Sequence, residues 1–107
     1  MKAILYCRVD GPENPFTGDA LRVQQSRLIA YAEKNGMEIA GVYMDAGFSG
    51  QTLDRPGLKA VVQAVKDGSA DTILVVNRDR LFRGHMPEEL RGLSICAVKE
   101  RETGLER

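Results

Sequence analysis

Two continuous apolar runs, Ala3 to Val9 (AILYCRV) and Thr72 to Val76 (TILVV), narrow the fold more than any other feature of the chain. A strand with one wet face alternates apolar and polar residues, whereas a run apolar at almost every position needs cover on both faces. Both runs therefore read as strands buried inside a sheet. Glu38 to Met44 reads as a further strand between them. The intervening segments have helical spacing. Leu21, Leu28, Tyr31 and Ala32 form an inward stripe on a helix predicted from an Asp19 cap to about Asn35, with Gly36 as its stop. Leu58, Val61, Val62 and Val65 follow the i, i+3, i+4, i+7 pattern on a second helix that Pro56 opens and Gly68 ends. Asp10 to Gly18 (DGPENPFTG) and Asp45 to Asp54 (DAGFSGQTLD) are rich in turn formers and read as loops.

The order strand, helix, strand, helix, strand, joined by right-handed crossovers, predicts an α/β fold. It is expected to be a three-layer α/β/α arrangement around a mainly parallel sheet of about four strands. Beyond Arg83 the pattern is weaker: Met86 to Gly92 reads as a short helix, Leu93 to Val98 (LSICAV) as a fourth strand, and Lys99 to Arg107 as a polar tail.

With 107 residues, 43% of them hydrophobic and 28% charged, the chain suits one soluble domain with a modest core. No apolar run reaches the roughly 20 residues that span a bilayer, and the N-terminus has no secretory pattern, so a cytoplasmic location without membrane contact is expected. Cys7 and Cys96 lie in apolar runs and read as buried free thiols; with His85 the sole histidine, no zinc site is expected. The formal net charge is zero, so bulk charge gives no support for tight non-specific nucleic-acid binding. Any DNA contact must come from a local cluster.

Such a cluster exists. Ligands of open parallel sheets bind beyond the carboxyl ends of the strands. The segments just past the three strands are Arg8-Val9-Asp10, Asp45 to Asp54, and Asn77 to Arg83, and they bring Arg8, Arg55, Arg80 and Arg83 towards one edge. Guanidinium groups match phosphate oxygens bidentately and stay charged, which suits a phosphodiester whose charge grows on attack. Asp10, Asp45, Asp54 and Asp79 also offer enough charge to neutralise all four. Spacing alone leaves both a phosphate site and a structural ion-pair network open.

Four blocks carry a family resemblance. Tyr6-Cys7-Arg8-Val9 before Asp10 resembles the opening motif of the serine recombinases (the resolvase/invertase family), where the nucleophilic serine follows. Leu21 to Ala32 (LRVQQSRLIAYA) is similar to that family's first helix, with Gln24 on its glutamine. Asp45 to Leu58 (DAGFSGQTLDRPGL) and Asn77 to Arg83 (NRDRLFR) resemble its two further motifs. The blocks occur in order and cover roughly residues 3 to 84. The resemblance implies the fold of a resolvase catalytic domain and a function in DNA recombination within mobile elements. It implies a metal-free reaction with no cofactor, in which a hydroxyl attacks a DNA phosphodiester and arginines stabilise the transition state. By position, Arg8, Arg80 and Arg83 would line the phosphate, Arg55 and Asp79 would support the site, and Gln24, Asp45, Ser49 and Arg78 would complete the phosphate and DNA contacts.

Asp10 departs from the pattern. A carboxylate at the nucleophile position repels a phosphodiester, and an acyl phosphate would hydrolyse rather than conserve bond energy for religation. The chain is therefore expected to be an inactive homologue in strand exchange by itself. It is further expected to be a single catalytic-type domain over residues 1–107, truncated at its C-terminus and without a DNA-binding domain, with DNA reached weakly or through a partner recombinase in a homo- or heterodimer. Two alternatives stay open: a non-catalytic interaction or regulatory module, and a Mg²⁺-dependent phosphoryl-transfer domain using Asp10.

Overall fold

The computed structural model describes residues 1–9, 15–47 and 55–99. Four strands, β1 (Lys2–Val9), β2 (Glu38–Ala46), β3 (Thr72–Val75) and β4 (Ile95–Ala97), form one sheet in the order β2-β1-β3-β4. All three pairings are parallel. Helix α1 (Pro15–Lys34) covers one face and helix α2 (Pro56–Lys66) the other. The expected three-layer α/β/α architecture is the observed one.

Alternation along β1 divides the core in two. Ala3, Leu5, Cys7 and Val9 pack with Leu21, Leu28 and Ala32 of α1. Ile4 and Tyr6 point to the opposite face, where Leu58 and Val61 of α2 meet Ile73 and Val75 of β3. Both layers must be covered for β1 to be buried, which is why its sequence lacks the polar alternation of an exposed strand. Gly36 and Gly68 take positive φ angles of 67° and 86° where the two helices end, a conformation open to glycine at little cost.

Several boundaries differ from expectation. Helix α1 begins at Pro15, so Asp19 lies inside the helix and pairs with Arg22 one turn on instead of capping it. Proline is favoured in a first helical turn because its missing N–H has no intrahelical partner there. Strand β2 runs to Ala46, past the expected end at Met44, so Asp45 is a strand residue rather than a loop residue. Only Glu88–Leu90 of the expected short helix is helical, as a single 3₁₀ turn, and β4 is shorter than predicted. Asp10, Ser49, Asp54 and the tail from residue 100 lie outside the described residues.

Strand β2 also contains a bulge. Ala3 pairs with Ile39 but Ile4 pairs with Gly41, so one extra residue is accommodated in β2. An extra residue flips every later side chain to the other face. Ile39 and Val42, an odd and an even position, thereby pack on the same α1 side. The same shift sets Asp45 beside Arg8, on the α2 face.

No described helix is long and apolar enough to cross a membrane. Both cysteines are free; Cys7 is buried, and Cys96 is half-buried with its Sγ 3.7 Å from the Tyr31 hydroxyl. Burial pushes the Cys7 thiol up to about 12, against the opposing charge of Arg80. Because the thiolate is the reactive form, a disulfide reagent should label Cys96 readily. Cys7 should react only as fast as the chain unfolds, up to about pH 9. Equal labelling rates for the two thiols in the native protein would contradict this packing.

Candidate functional site

The strand order places a topological switch point between β1 and β3. The chain leaves β1 towards β2 on one side and returns from β2 to β3 on the other, so the connections diverge at the carboxyl ends of these two central strands. A crevice opens at such a point, and it is where open α/β sheets bind ligands. Arg8 stands at the end of β1, and the 3₁₀ turn Arg78–Arg80 follows β3.

Arg8 and Arg80 hold each other's main chain. Arg8 donates from Nε to the Arg80 carbonyl oxygen at 3.0 Å and from Nη2 to that of Asp79 at 2.7 Å. Arg80 donates from Nη1 to the Arg8 carbonyl at 3.2 Å. The Arg80 Nε is buried and has no hydrogen-bond partner among the described residues; it lies 3.9 Å from Asp79 Oδ1. Gln24 grips Arg8 from α1. Its Oε1 accepts the Arg8 N–H at 3.2 Å, and its Nε2 donates to the Arg8 carbonyl at 3.1 Å. A glutamine amide carries one donor and one acceptor side, so it pairs with a strand residue as another strand would. This explains a polar residue in the inward stripe of α1.

Arg55, just before α2, is the second fully buried guanidinium. Its Nη1 reaches the Arg80 carbonyl at 2.9 Å and the Tyr6 hydroxyl at 3.1 Å, and its Nη2 reaches the Leu81 carbonyl. The guanidinium also sits 5.8 Å from the centre of the Tyr6 ring. Tyr6 donates its own proton to Asp45 Oδ2 at 2.7 Å. Asp45 then accepts the N–H of Gly57 at 2.9 Å and of Leu58 at 3.0 Å, and so caps α2 from a distance in sequence. Burial is the main cause raising the Tyr6 pKa well above the ordinary phenol range, and it also lowers that of Arg55.

Exposure separates the roles open to these groups. Arg8 and Arg55 have no exposed surface, while Arg80 keeps 28% of its side chain accessible and Arg78, Asp79 and Arg83 are exposed. Among the described residues, the buried charged side chains are Arg8, Arg55 and Asp45. The structure thus brings together Arg8, Gln24, Asp45, Arg55, Asp79 and Arg80. Asp10 and Ser49 are outside the described residues. From the sequence Tyr6 was named only as part of the opening motif, with no role in the site, and the carbonyls of residues 79–81 were not singled out. A tyrosine in the otherwise aliphatic β1 run was the available sign, since a buried hydroxyl requires a partner. A groove of about 460 Å³ between α2 and the Glu88–Leu90 turn carries Lys59 and Lys66 but none of these arginines.

Residues 3–100 match the family model described as "Resolvase, N terminal domain". The chain is 29% identical over 99 residues to a Bacillus subtilis (strain 168) protein named "Putative DNA recombinase", covering 88% of this chain and 19% of that protein. It therefore spans about a fifth of the length of this curated relative. Among solved structures, the N-terminal catalytic domain of TP901-1 integrase superposes with a TM-score of 0.80 at 29% identity, covering 94% of this chain and 79% of the other. The C-terminal catalytic domain of ISC1926 TnpA, an IS607-like serine recombinase, gives 0.78 at 28%, with 92% and 67% covered. A resolvase family site-specific recombinase from Streptococcus pneumoniae gives 0.63 at 32%, with 78% and 58% covered.

The Gln24 pairing makes a direct prediction. Gln24→Leu keeps the apolar volume but strips the buried Arg8 N–H of its acceptor, so denaturant unfolding should show a loss of about 1–3 kcal/mol. A neutral effect would mean that the amide is not holding the end of β1.

Proposed function

Because the chain belongs to the resolvase N-terminal domain family, we propose that its arginine centre is built for a DNA phosphodiester and that Asp10 prevents strand exchange by this chain alone. The observation that carries this reading is the convergence of Arg8, Arg55 and Arg80 on one turn at the β1/β3 switch point, with the Arg80 side chain 28% accessible. Arg80, with Arg78 and Arg83, is accessible enough to take phosphate oxygens directly. Arg8 and Arg55 contribute charge from beneath and hold the turn on which Arg80 stands. Developing negative charge on an attacked phosphate would meet donors already in place, which lowers the barrier without reorganisation.

In sequence, Asp10 follows Val9, the last residue of β1. Its carboxylate would compete with a phosphate for these cations and form a hydrolysable acyl phosphate if it attacked. In this reading Asp10 serves as an internal anion for Arg8 or Arg80. DNA then reaches the domain weakly or alongside an active recombinase, with this chain as its non-catalytic, regulatory partner. A Mg²⁺ site built on Asp10 would need a second strand-end carboxylate. Asp45 is poorly suited, because Tyr6 and two α2 amides already engage both of its oxygens.

The test uses supercoiled DNA. The chain, fused to a DNA-binding module with sites in the plasmid, should give no covalent protein–DNA adduct. The Asp10→Ser fusion should give one, linked through position 10. An adduct at Asp10 in the unsubstituted chain would refute inactivity, and no cleavage by Asp10→Ser would refute an otherwise competent centre.

A further inference from the structure

Resting on that reading only for its functional consequence, we propose that Tyr6 and Asp45 act through Arg55 as positioning residues for the Arg78–Arg80 turn. The connection runs in one direction through three contacts. The N-terminal amides of α2 fix the Asp45 carboxylate. That carboxylate accepts the hydrogen bond of the Tyr6 hydroxyl, which turns the phenol oxygen's lone pairs towards Arg55. Arg55 then presents its guanidinium edge to the carbonyls of Arg80 and Leu81.

Neither Tyr6 nor Asp45 is placed to meet a substrate. Tyr6 has no exposed surface and Asp45 only 4%, and both Asp45 oxygens are engaged within the domain. Their value is geometric. A 3₁₀ turn of three residues has little internal rigidity, and its main-chain bonds are few: Arg80 N–H to the Asn77 carbonyl, and the N–H groups of Leu81 and Phe82 to that of Arg78. The Arg80 carbonyl is held from two sides, by Arg8 and by Arg55. Two guanidinium groups on one oxygen fix the turn against both β1 and α2. Gly57 is part of the same device. A Cβ there would lie 2.9 to 3.0 Å from the Asp45 carboxylate, so no larger residue fits while that carboxylate keeps its bonds.

The test is hydrogen exchange followed by NMR on the whole chain. Tyr6→Phe removes one oxygen and leaves the ring packed. The amides of Leu81 and Phe82, which bond to the Arg78 carbonyl, should then exchange about tenfold faster. Those of Ile73 and Val75 in β3 should change far less. Gly57→Ala and Arg55→Lys should give the same local signature. Uniform acceleration would show a general stability role and overturn the proposal, as would no change at 81–82. In the unsubstituted chain the Tyr6 hydroxyl proton should appear as a slowly exchanging signal, and its absence would also count against the proposal. Affinity for a short single-stranded oligonucleotide should fall in Tyr6→Phe. Local loosening in a chain that never binds the oligonucleotide would sink the phosphodiester reading while leaving the positioning role intact.

Discussion

The carbonyl oxygens of Asp79, Arg80 and Leu81 accept hydrogen bonds from two guanidinium groups that have no exposed surface, and the geometry of the sheet's carboxyl edge follows from those bonds. Burying a cation costs several kcal/mol unless its donors are matched. Main-chain carbonyls match several of those donors here. The result is a turn tied to β1 and to the residue that precedes α2.

The framework draws on every layer. Gln24 of α1 fixes the main chain of Arg8 from one side. Arg55 and the Asp45-capped end of α2 approach from the other. The β2 bulge brings Asp45 to the α2 face. Breaking one link therefore leaves a buried group unmatched in a neighbouring layer, a more costly event than losing a surface contact.

Much of this was legible in the residues. The apolar runs AILYCRV and TILVV gave two central strands because only strands covered on both faces read that way. The α2 stripe of Leu58, Val61, Val62 and Val65 packs as its spacing requires, with Leu58 and Val61 fully in the core. The motif blocks led to a family that the chain belongs to. Other features were hidden for physical reasons. The glycines and prolines of residues 10–18 masked the start of α1 at Pro15, since proline marks both loops and first helical turns. The bulge left no sign in a period-two pattern because β2 is an edge strand with polar and apolar positions mixed. Asp45 was grouped with the phosphate contacts because a strand-end carboxylate has many uses. Its partners in Tyr6 and at α2 are set by tertiary contacts 39 and 12 to 13 residues away in sequence.

In the proposed function the switch-point edge, rather than any other surface, receives a DNA phosphodiester. Titrating the ¹⁵N-labelled chain with a short DNA duplex and following main-chain and arginine Nε resonances tests it most directly. Shifts confined to residues 78–81 and the side chains of Arg80 and Arg83, diminishing as salt is added, are expected. Shifts centred on Lys59 and Lys66 of the α2 groove, with the arginine turn unmoved, would contradict it.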